Sequence, residues 1–151
     1  MTARTNHRWS TSLAALLVLG VPLLAGPAIA AGNDATYRAA LTGSSEVPAT
    51  TGAGTGEITA TFDPAAKRLS WSGRYSGLTG PVTAAHFHGP AKAGENAGVL
   101  VPVTATSSPF SGEAILDDAK AADLAAGRIY FNLHTAANPK GEIRGQLERA
   151  P

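Results

Sequence analysis

The feature that most constrains this chain is a period of two. In residues 57–62, Ile58, Ala60 and Phe62 alternate with Glu57, Thr59 and Thr61, and in residues 69–75, Leu69, Trp71 and Tyr75 alternate with Ser70, Ser72 and Arg74. Successive side chains on an extended strand point to opposite faces, so these runs read as strands with one apolar and one polar face. The runs are short, and the chain is rich in turn formers, with 17 glycines and 10 prolines. Asp63-Pro64-Ala65-Ala66 and Asn138-Pro139-Lys140-Gly141 place proline where a turn needs its fixed φ. Further strands are expected at 37–41, 82–88, 99–103, 114–116, 128–134 and 142–147, the last two joined as a hairpin. One helix is expected at 118–126, capped by Asp117 or Asp118 and ended by Gly127; with Leu124 as its one sizeable apolar anchor it should lie on the surface. The expected fold is all-β, an antiparallel sandwich or barrel of Greek-key type with one short surface helix.

The first 30 residues have a different composition. Arg4 and Arg8 precede an apolar stretch at 13–24, broken by Gly20 and Pro22, and Ala28-Ile29-Ala30 has the small-x-small form of a cleavage site. This is the pattern of a secretory signal peptide, with the mature chain starting near Ala31. The stretch is shorter and more broken than the ~20 apolar residues of a membrane span, a retained anchor being the alternative. With no cysteine for lipidation and no adjacent arginine pair, general export is the expectation, to a secreted, periplasmic or cell-envelope location without a membrane span after cleavage. The mature part divides into a flexible N-terminus at 31–36, one domain at 37–147 and a frayed tail at 148–151.

Without residues 1–30 the chain keeps 10 basic and 11 acidic residues. That is no footprint for nucleic acid, which calls for a basic stripe, nor for an anionic membrane surface. Cysteine is absent, which removes disulfides, thiolate ligands and thiol nucleophiles together. The hydroxyls of Ser44, Ser45 and Thr135 have no triad setting, and the glycine-rich 52–56 precedes a strand and lacks the lysine of a phosphate loop.

The chemistry that remains is imidazole. His86 and His88, two apart on one strand, share a face, and His134 on another strand could complete a three-histidine set. Such a set suits Cu or Zn. Glu142 lies on the face of His134 as a ligand, a supporting group or an ion-pair mate for Arg144, whose own positive charge opposes a dication. The competing reading is structural: the three histidines form a hydrogen-bonded cluster, with His134 held by Glu142 or Asn132. Dismutase-like copper chemistry is a minor alternative, weakened by the lack of further histidines for a second metal.

Four strings carry a resemblance. They are Leu41-Thr42-Gly43-Ser44-Ser45-Glu46-Val47-Pro48, Ala84-Ala85-His86-Phe87-His88-Gly89-Pro90-Ala91, the stretch from Gly127 through Phe131-Asn132-Leu133-His134-Thr135 to Pro139, and Gly141-Glu142-Ile143-Arg144-Gly145-Gln146-Leu147. Together they resemble the CHRD domain, named for chordin, over residues 37–147. The resemblance implies an all-β extracellular module without general enzymatic activity, found as repeats in chordin and as single domains in exported microbial proteins. The cysteine-rich domains with which chordin binds its growth factor are missing here, so that antagonism is not carried over. The expected function is therefore a secreted or envelope binding module with a metal ion and an unidentified protein or envelope component as partners. The alternative is a purely structural or protein-interaction domain.

Overall fold

Among the described residues, nine strands and one α-helix follow from the alternation and its punctuation. The computed structural model describes residues 1–2 and 33–151, so the signal-peptide reading lies, but for its first two residues, outside the described residues. The strands are β1 (Ala35–Thr42), β2 (Thr55–Asp63), β3 (Arg68–Ser76), β4 (Val82–His88), β5 (Val99–Val103), β6 (Phe110–Ile115), β7 (Tyr130–Thr135), β8 (Ile143–Gln146) and β9 (Glu148–Arg149). Helix α1 (Asp118–Ala125) joins β6 to β7. The strands among the described residues pair antiparallel, in the order β5-β4-β7-β8-β1-β2-β3-β6, with β9 added on β1.

This single sheet curls into a nearly closed barrel-like form. The aromatic core shows the curl: Trp71 on β3 meets Phe87 on β4 with ring centroids 5.0 Å apart, and Phe110 on β6 stacks on Phe131 of β7 at 5.6 Å. These pairs join opposite ends of the strand order. Ile58, Ala60, Phe62, Leu69 and Trp71 all point inward, as their alternation requires. Fully burying a side chain such as Phe131 contributes about 1.5–3 kcal/mol. No helix among the described residues is long and apolar enough to cross a membrane.

The helix matches its signals. Asp117 accepts a hydrogen bond from the Lys120 amide at 2.9 Å, Leu124 is fully buried, and Gly127 takes φ +66° after the last turn. Elsewhere the structure extends the sequence reading. Strand β6 begins at Phe110, because Ser111 and Gly112 let β3 and β6 approach until Gly112 lies against the Trp71 ring; small residues of this kind carry little strand signal. At the C-terminal end, residues 148–149 form β9 rather than a frayed tail, held by Ala150 N–H donating to the Thr36 carbonyl at 2.8 Å. Strand β1 likewise begins at Ala35, inside the stretch read as flexible.

Strand β7 is the element that matters for function, since all six of its residues are buried. Phe131 and Leu133 face the aromatic core. The opposite face carries Tyr130, Asn132 and His134, and it is covered by loops. Asn96 donates to the Val47 carbonyl, Thr50 to the Glu142 carbonyl, and Gln146 to the carbonyls of Ala91 and Gly127. The outer face of β4, β7 and β8 is thus a second, polar interior.

Candidate metal centre

The three histidines meet on this outer face. Strand register sets His88 opposite Tyr130, His86 opposite Asn132, and Ala84 opposite His134. His86 and His134 are therefore diagonal neighbours, within reach of ring side chains across antiparallel strands. One ring nitrogen from each of His86, His88 and His134 lies within 4.8 Å of the other two. Three points so spaced share a centre within about 2.8 Å of each, the spacing divided by √3. Bonds from imidazole nitrogen to zinc run ~2.0–2.1 Å, so rotations of well under a side-chain length would bring all three to one ion.

The hydrogen bonds decide which nitrogens face inward. His88 Nδ1 donates to the Ala97 carbonyl at 3.0 Å, and His134 Nδ1 donates to the Pro139 carbonyl at 3.1 Å. A carbonyl only accepts, so both Nδ1 atoms carry the proton and both Nε2 atoms keep a lone pair. His134 Nε2 lies 3.1 Å from His86 Nδ1. His88 Nε2 is buried with no hydrogen-bond partner. A ring anchored through Nδ1–H to a backbone carbonyl with its Nε2 left open, as at His88, has the outer-shell arrangement of a histidine metal ligand. A buried nitrogen lone pair without a partner is otherwise costly. The residues present fit a metal ion on this count.

Burial shifts all three rings toward the neutral, ligating form. It is the largest influence in each case and lowers their pKa values below the usual 6.5. His86 is lowered further by its two histidine neighbours, His134 by His88, and His88 by Arg144, while the backbone at Ala97 and Gly98 and the neighbouring Asn132 side chain oppose the shift of His88 and the Pro139 carbonyl opposes that of His134. His88 and His134 are each 8% exposed, and His86 is half-buried.

Aromatic stacking fixes His88. Its ring lies parallel to Tyr130 with centroids 4.9 Å apart, and the Arg144 guanidinium sits 3.4 Å from the Tyr130 ring centroid. Arg144 is 2% exposed and also donates to the Asn96 side chain and the Glu95 carbonyl. Its charge is thus engaged by the Tyr130 ring and by loop oxygens.

Glu142 stands apart from the three-histidine group. One carboxylate oxygen accepts from the Thr79 amide at 2.7 Å, and the other from the hydroxyls of Thr79 at 2.6 Å and Thr135 at 2.5 Å. Burial pushes its pKa up, but these donors outweigh burial and hold it below the ordinary value. It pins β7 and the start of β8 to the loop after β3. The bond expected between His134 and Glu142 or Asn132 is not the one formed; Pro139 and His86 take that place. In the sequence, Asn132 figures only as a bond partner of His134, and Tyr130 and Glu46 have no assigned part in the site. Tyr130 and Asn132 were legible as occupants of the His134 face, whereas nothing local to Glu46 marks its burial.

A family model described as the CHRD domain matches residues 37–147. No curated protein and no solved structure matches the chain.

Proposed function

The chain belongs to the CHRD-domain family, and on that premise we propose that it is a binding module, exported or held in the cell envelope, that takes up one Cu or Zn ion through His86, His88 and His134. The domain is generally a non-enzymatic module. The export reading rests on the signal-like composition of residues 1–30. The metal reading rests on one observation: three neutral imidazoles converge, and the buried Nε2 of His88 has no partner within the protein. Neutral nitrogen donors favour Cu and Zn over Mg and Ca, which prefer oxygen.

Calorimetric titration of the purified protein tests this. About one Cu²⁺ or Zn²⁺ should bind per chain, and His88→Ala, checked for folding by circular dichroism, should bind neither at the same site. Absence of uptake by the parent, or unchanged uptake by the variant, would refute the assignment.

One observation favours a second reading. The 3.1 Å contact between His86 and His134 is a complete hydrogen bond by itself, as a structural cluster requires. In that case the same titration stays flat, and replacing His134 costs stability alone.

A further inference from the structure

We infer that the ion is held by three protein donors only and that its remaining coordination position takes a small anion from solution. This deepens the metal reading and rests on it. The argument is an inventory of donors. Zn²⁺ is four-coordinate in nearly all protein sites and Cu²⁺ takes four or more ligands, and among the described residues the group contains three histidines and no carboxylate. The carbonyls that bond these rings, those of Ala97 and Pro139, already accept ring N–H protons from His88 and His134. Those bonds run from the Nδ1 side of each ring, away from the Nε2 lone pairs. Glu142 has both oxygens bound by Thr79 and Thr135.

Charge then selects the ligand. Three neutral imidazoles leave a divalent ion with its full double charge, and Arg144 adds a fixed positive charge on the same face. An anion offsets the charge of the ion, and the attraction is stronger in a partly buried site than in water. Size follows from exposure: His88 and His134 are buried, and His86 is the one ring of the three that borders solvent. Asn132 is the rival fourth donor, because its Oδ1 is buried without a hydrogen-bond partner on β7, opposite His86. A neutral amide oxygen is a harder and weaker donor to these metals than an anion delivered from solvent.

The test uses the full chain loaded with Co²⁺, whose visible bands are strong when four-coordinate and weak at higher coordination. Sodium azide titrated into the cobalt protein should shift those bands at undiminished strength and saturate at one azide per ion, as expected for exchange of a solvent-derived ligand. Bands that do not move, or that weaken as azide adds to a complete protein set, overturn the inference and leave the metal reading standing. A chain that takes up no Co²⁺, Cu²⁺ or Zn²⁺ overturns both.

Discussion

Glu46 is 6% exposed, close to Gly141 and to the Asn132 amide, with one carboxylate oxygen lacking a hydrogen-bond partner. Burial raises its pKa from 4.5 to about 7, against the opposing pull of Arg144 and Asn132. The sign of its effect on stability follows. Between pH 4.5 and about 7 the folded chain keeps a proton that the unfolded chain has released, so this group's contribution falls as pH rises through that window and is lost above it. Glu46→Gln stays neutral throughout. Its stability relative to the parent should rise by about 1–2 kcal/mol between pH 5 and pH 8, allowing for partial solvent screening. Urea unfolding at the two pH values measures this, and an unchanged difference would show that Glu46 does not titrate inside the fold. Such a residue was not legible in advance. It stands in a Ser- and Pro-containing loop, where composition suggests solvent, and only the closure of that loop over β8 buries it. The histidines were legible, because an i, i+2 pair on an alternating strand has one geometry; their convergence was not, since it depends on the register of β4 against β7.

Strand β8 joins β1 through a single bridging pair, Thr42 with Arg144. Gly145 makes that crossing feasible. A Cβ at this position would overlap the backbone carbonyl of Ala40 and press on the Ala39 side chain. Backbone cannot rotate away as a side chain can, so Gly145→Ala should destabilise the protein by roughly 2–3 kcal/mol, the upper range for overpacking. Chemical denaturation checks this, and a loss under about 0.5 kcal/mol would mean that β1 shifts freely. The elements themselves were largely readable. Alternation placed β2 and β3, short apolar runs between turn formers placed β4 and β5, and the Asn138-Pro139-Lys140-Gly141 turn, closed by Gly141 N–H donating to the Asn138 carbonyl at 3.1 Å, placed the β7–β8 hairpin. What alternation could not supply was the polar face of β7, which is as buried as its apolar face because loops distant in sequence fold over it.

Metal uptake would act on the molecule as a unit, because β4 and β7 bring the ligands together only when paired. An ion that binds the folded chain alone stabilises it by mass action, about 2.7 kcal/mol at a free concentration one hundred times Kd. Thermal unfolding should therefore move upward with added Cu²⁺ or Zn²⁺, and His134→Ala should lose most of that increase; an equal shift in both proteins would place the binding elsewhere. The barrel also has an order of completion in time. Strand β1 lies between β2 on one side and β8 and β9 on the other. One edge of β1 thus waits for residues 144–149, which are made long after it. Pairings between distant parts of a chain form slowly, and here they cannot begin until those residues have been made. A domain with this wiring remains unlocked while its middle strands emerge, and it commits to its shape only when β8 and β9 arrive.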